Sequence, residues 1–295
     1  MGHLLEGVLF TTSKFIIIAV FVLAFDHVIA KPEHEPTIDQ KEELSIFWPQ
    51  FGSLLIPGFG QAVQGRYQSS LTYLGIAAGG SMMGDKLPHG LAFSFWVNSG
   101  SSSLYDSFHK AVLTRKDEFL FIDRQEQFDK LILAPLEFRR FLDETTYFHL
   151  LPLFLWSLYG TKIIDRRSGR APSGKEFISS TGTSFTAGYS EELIFRGWIL
   201  PILHSKIGNA VMANILQGFI FGALHSRDFV PVPQMLGGIY LGWLTQKNHY
   251  SLRESIFVHF WWDFLLLISH DIHYKLRGKT LNNSMPPVLS LTIPI

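Results

Sequence analysis

Six ionisable residues stand inside three strongly apolar stretches of this chain: Glu191, Glu192 and Arg196 in EELIFR, His225 at the end of FGALH, and His259 and Asp263 in HFWWD. Charge in a membrane-type helix is costly and normally faces a partner or a water-filled cavity, so three such stretches point to one shared polar site. On a helix of about 3.6 residues per turn, Glu192 and Arg196 share a face and suit an ion pair, while Glu191 points roughly 100° away. Phe221 and His225 are also four apart, as are His259 and Asp263. The second spacing lets Asp263 orient the His259 imidazole. Together the set is sufficient for peptide-bond hydrolysis. Glu191 would take a proton from water and pass it to the leaving amine. His225 would position that water, and His259 would donate a hydrogen bond to the developing oxyanion.

Two imidazoles and two carboxylates are also legitimate zinc ligands. Glu191, His225, His259 and Asp263 therefore form an alternative metal set, although no HExxH helix is present and His34-Glu35-Pro36 does not fit one. The preferred reading has no metal and no cofactor. Other intramembrane chemistries fit poorly. Gly100-Ser101-Ser102-Ser103 only approximates a GxSG serine motif, and Met82-Met83-Gly84-Asp85 lacks the first glycine of a GxGD aspartyl motif.

Composition agrees with a bilayer setting. Of 295 residues, 47% are hydrophobic and only 17% charged, against about 25% charged in an ordinary soluble domain. Phe occurs 26 times, and the formal net charge is zero, which gives no reason to expect a nucleic-acid partner. The absence of cysteine excludes disulfides, thiolate metal sites, a cysteine nucleophile and lipid anchors on cysteine.

The elements that must position the site follow from hydropathy and breakers. Phe15 to Ala30, with Lys14 before it, fits a secretory signal peptide cleaved after Ala30. The competing reading is an uncleaved first helix, against which Asp26 and His27 interrupt the apolar run. Ser53 to Gly65 and Leu71 to Met83 read as two membrane-associated helices separated by a sharp turn, with Pro57-Gly58 as the breaker. Gly75, Gly79 and Gly80 would let another helix approach. Leu91 to Val112 is a third helix, apolar and then serine-rich. Lys110 to Asp143 is the most charged part and reads as a linker or as interfacial helices. After Tyr147 to Tyr159, the basic residues Lys162, Arg166, Arg167, Arg170 and Lys175 place a loop in the cytoplasm by the positive-inside rule. Four further apolar segments follow, at about 177–203, 209–225, 234–244 and 255–268.

The expected fold is all-α, a polytopic transmembrane helical bundle of about seven or eight membrane segments. Its divisions are 1–30 as signal peptide or first helix, 31–109 as an N-terminal hairpin module of PGFGQ type, 110–145 as a charged linker, 146–272 as the domain holding the site, and 273–295 as a polar tail.

The ordered set EExxxR, FxxxH and HxxxD in successive apolar segments resembles the CAAX prenyl protease 2 family, also called CPBP or Abi. The resemblance spans roughly Tyr147 to His270 and implies a multi-helix intramembrane glutamate-dependent endopeptidase. By residue match it implies Glu191 as the water-activating base and His225 as its partner. Glu192 and Arg196 complete the first motif; His259 and Asp263 form the third, where the family carries Asn or Asp. The implied partners are a membrane protein or peptide substrate and the lipid bilayer, with prenyl or CAAX-like proteins as the substrate class. The signal-like start and the PGFGQ element further suggest a bacterial inner membrane. Two other functions compete: a zinc-dependent protease on the same residues, and a non-catalytic immunity or scaffold protein of the same fold.

Overall fold

The computed structural model describes residues 45–84, 87, 91–115, 118–122, 126–143, 150, 174–225 and 232–277. The expected signal peptide, the apolar segment from Tyr147 to Tyr159 (Leu150 apart), the basic loop of Lys162 to Arg170 and the tail beyond residue 277 lie outside them. Among the described residues the regular elements are all helical.

The chain enters through α1 (Trp48–Leu55), with Pro49 in its first turn, where the missing N–H costs nothing. Pro57 and Gly58 then turn it sharply into α2 (Phe59–Val63) and on to α3 (Tyr67–Met82). Gly58 takes φ 96°, and a Cβ there would sit 2.3 Å from the Ser70 carbonyl oxygen. The turn therefore needs glycine for both its backbone and its space. Helix α4 (Leu91–Thr114) lies against α1, α3 and the site. Of the three glycines expected to admit a neighbour, Gly80 does so, with a Cβ position 2.2 Å from Phe95 Cβ. Gly75 and Gly79 meet nothing within 4 Å among the described residues.

The charged stretch folds onto the bundle. Phe119, Leu131 and Ala134 are buried in the core, and short helix α5 (Phe128–Leu133) runs into 3-10 turns at Ala134–Leu136 and Phe138–Leu142. Glu126 accepts the Leu252 N–H at 2.9 Å and the Ser251 hydroxyl at 2.6 Å, satisfying donors at the entry to the last helix. The Trp261 indole donates to the Pro135 carbonyl at 3.0 Å.

One continuous helical stretch follows: α6 (Gly174–Phe185), a wide π-helical segment (Thr186–Ile199) and α7 (Leu200–Ile207). It ends on Gly208 at φ 71°, a left-handed C-cap. Asn209 caps α8 (Ala210–Leu224) by accepting the Met212 N–H at 3.0 Å. Helix α8 pairs closely with α9 (Val232–Lys247), and α10 (Arg253–Arg277) returns across α6 and the π segment.

Polar side chains are buried within the apolar core, and large apolar ones are exposed on the outside. Ser101, Ser103, Ser107, Gln61, Glu192, Arg196 and Gln217 are wholly buried, whereas Leu71 is 68% exposed, Val211 66% and Leu236 56%. Among the described residues no helix is long and apolar enough to cross a membrane.

Candidate active site

The π segment decides where the first motif points. The Leu200 N–H reaches back five residues to the Phe195 carbonyl, and such wide turns, rare overall, are frequent at functional sites. Gly188 lets the segment press onto α10, because a Cβ there would lie 2.6 Å from the Phe260 backbone nitrogen. On the other flank, α4 holds it through polar side chains. Ser101 donates to the Ser190 hydroxyl at 2.9 Å, Ser190 donates to Asn98 Oδ1 at 2.6 Å, and the Ser102 and Tyr189 hydroxyls meet at 3.0 Å. Sequence reasoning missed this clamp; Asn98 and the serines at 99, 101, 102 and 103 were its signal.

All seven residues of the three motifs come together. Glu191 Oε2 lies 3.6 Å from His225 Nε2 and 3.7 Å from His259 Nε2. The Glu191 side chain is 14% exposed, and this oxygen finds no hydrogen-bond partner among the described residues. His225 sits just past the last turn of α8, where its Nδ1 donates to the Phe221 carbonyl at 2.7 Å. A carbonyl only accepts, so that bond assigns the Nδ1 proton and turns Nε2 towards Glu191. Phe221 itself is a platform, its ring centroid 4.3 Å from that of His225 and its face 4.5 Å beneath the Arg196 guanidinium.

The third motif is oriented differently from expectation. His259 Nδ1 meets Glu192 Oε1 at 2.8 Å, and the same oxygen lies 2.9 Å from Arg196 Nη1. Glu192 rather than Asp263 thus fixes the His259 ring, because the π segment carries this carboxylate up against α10. Asp263 Oδ2 is 3.6 Å from His259 Nε2, on the side facing Glu191. Arg196 also donates to the Gly238 carbonyl at 3.1 Å, which ties the cluster to α9. Although Glu191, His225, His259 and Asp263 are neighbours, among the described residues no group of three or more such side chains is arranged to hold a metal ion.

Residues 173–265 match the Rce1-like family, described as type II CAAX prenyl endopeptidase Rce1-like. That interval contains Glu191, Glu192, Arg196, Phe221, His225, His259 and Asp263. The matched interval, about a third of the chain, is thus similar to a CAAX-type prenyl endopeptidase domain, from a family of proteases. Neither the curated proteins nor the solved structures gave a match.

Proposed function

We propose that this protein is an intramembrane endopeptidase that hydrolyses peptide bonds of membrane-associated proteins, of prenylated or CAAX-like type, with water activated by Glu191. The observation that carries this reading is the Glu191 carboxylate held between two imidazoles at 3.6 and 3.7 Å. At those separations neither imidazole makes a direct hydrogen bond to the carboxylate, and a water beside the three groups would bridge them. That water would give its proton to Glu191 and attack the scissile carbonyl. His225 would hold it in place. A His259 ring protonated on both nitrogens would donate Nδ1–H to Glu192 and Nε2–H to the oxyanion. Glu191 would then deliver its proton to the departing amine.

Exposed apolar faces and polar side chains buried in the core support the bilayer. Soluble monomers rarely expose contiguous apolar patches beyond a few hundred Å². Here Val211, Ile215 and Phe219 follow one another down one outer face of α8, and Leu236 and Trp243 are exposed on α9. Lipid is the solvent that suits such a surface, and it also favours keeping serine, glutamine and charged side chains inside the bundle.

The test is cleavage of a farnesylated CAAX-type peptide by the purified protein in lipid. Release of the C-terminal tripeptide by the wild type is expected. No release from this peptide or from co-reconstituted membrane proteins would end the protease reading and favour a binding or scaffold role. The same assay separates the zinc alternative. Activity is expected to be unchanged after dialysis against EDTA, whereas loss restored by stoichiometric zinc would assign the four donors to a metal.

Asp263 yields a further prediction. At 3.6 Å it is too far from His259 Nε2 for a direct hydrogen bond, and an ionised carboxylate beside an oxyanion offers only acceptors. Asp263→Asn is expected to keep kcat within about tenfold of wild type or to raise it, less than the loss of an acid–base group would produce. A hundredfold fall with unchanged folding would show that the charge of Asp263 is required.

A further inference from the structure

Behind the site, the hairpin of α8 and α9 buries polar atoms that peptide hydrolysis does not use. The two helices cross at glycines. A Cβ at Gly218 would lie 2.4 Å from Ile239 Cγ1, and one at Gly242 would lie 2.0 Å from Asn214 Oδ1 and 3.0 Å from Gln217 Oε1. The two carboxamides therefore converge on the bare face of Gly242. Asn214 Nδ2 donates to the Ile239 carbonyl at 2.9 Å. Asn214 Oδ1 and both polar atoms of Gln217 find no hydrogen-bond partner among the described residues, yet Gln217 is 0% exposed and Asn214 only 5%. Buried polar groups are almost always paired with protein or with ordered water, so these three atoms call for a ligand.

Their placement indicates which one. Asn214, Gln217, Phe221 and His225 succeed one another at spacings of three, four and four, which puts them on one stripe of α8. Across from that stripe, Arg196 donates to the Gly238 carbonyl, one turn of α9 from Gly242. Arg196 Nε, Glu192 Oε2 and Glu191 Oε2 also lack hydrogen-bond partners among the described residues. Orphan polar atoms thus occur at two levels, at Asn214 and Gln217 and again around Arg196, Glu192 and Glu191, with Phe221 between them on the α8 stripe. Gln217 offers a donor as well as an acceptor, and among the described residues no acidic side chain is bonded to the two amides. Water uses both kinds of group, whereas a cation would use the oxygens alone.

We propose that Asn214 and Gln217 line an internal water lane that reaches Glu191 from the N-terminal end of α8 and keeps the hydrolytic water in supply. The proposal rests on reading Glu191 as the base that activates water. Gln217 is a positioning residue in this scheme, because it acts through water and does not meet the substrate.

The test compares Gln217→Leu with Gln217→Ser in the full chain in lipid, beside the wild type and Glu191→Gln. Leucine fills the volume with apolar surface and removes unpaired amide atoms, so its unfolding midpoint should match or exceed the wild type. Serine is smaller and less stable but leaves room for another water. The expected result is that Leu lowers kcat roughly tenfold or more at unchanged KM, while Ser stays near wild type, a smaller loss than removal of the base itself. A structural role predicts the opposite order, with activity following stability, and that result would overturn the lane. A second readout needs no turnover. X-ray radiolytic labelling in 18O-water should mark buried Phe221 in the wild type and the Ser variant and spare it in Leu; an unlabelled wild type would also overturn the proposal. Failure of the function reading is recognised separately, as a wild type that cleaves no better than Glu191→Gln.

Discussion

Glu191→Gln is expected to lower kcat by about 10³-fold or more, since removing a general base costs about 10²–10⁴ and the same carboxylate is proposed to act twice, on water and on the leaving amine. Glutamine preserves the shape and packing of the side chain but cannot take the proton. Folding should not suffer. Glu191 Oε2 has no hydrogen-bond partner among the described residues, and its contacts to His225 and His259 are 3.6 and 3.7 Å. Glutamine keeps the volume of the side chain, so the variant should stay folded and melt close to the wild type. A large loss of activity with little change in stability marks a side chain retained for chemistry. The check is single-turnover cleavage of the reconstituted variant, together with its melting curve. A variant that keeps more than a tenth of wild-type activity would remove Glu191 from the role of base, whatever its stability.

Much of the site was legible because charge is so conspicuous in apolar sequence. Glu191, Glu192, Arg196, His225, His259 and Asp263 announce themselves by type alone, and four-residue spacing identified Glu192 with Arg196 as an ion pair, as observed at 2.9 Å. Pairings across helices were not legible in the same way. Spacing connects residues on one element and is silent about which neighbour faces it. Asp263 was therefore given to His259, its partner on α10, although Glu192 takes the Nδ1 position from the π segment. The wide turn itself was hidden, since EELIFR carries no breaker and reads as an ordinary helix. The carboxamides of Asn214 and Gln217 were passed over because a neutral amide in an apolar run stands out less than a charge, and the glycines facing them lie on another helix. The all-helical fold was visible in the apolar segments and their breakers. The packing of Phe119 and Leu131 into the core was masked by the charged residues around them.

Arg196→Met is expected to cost about 3–5 kcal/mol of stability, the usual result of removing one partner from a buried ion pair. Both side chains are 0% exposed, so Glu192 would be left charged in the core with His259 as its remaining partner. Arg196 also donates to the Gly238 carbonyl and lies 4.5 Å above the Phe221 ring, and the thioether of methionine replaces only the packing. The measurement is the unfolding midpoint in lipid or detergent; a melt superimposable on wild type would show that the pair does not hold the bundle. A second substitution then separates stability from chemistry. In Arg196→Met/Glu192→Leu the uncompensated charge is gone, and well-packed apolar replacements of a buried pair are often neutral or stabilising. Most of the lost stability should return. Activity should not, because His259 will have lost the carboxylate that receives its Nδ1 proton and keeps Nε2 turned towards Glu191 and Asp263. A double variant that regains cleavage together with its melting temperature would reduce Glu192 to a structural counter-ion. One that regains only its melting temperature would place Glu192 in the machinery, as the group that orients the proposed oxyanion donor.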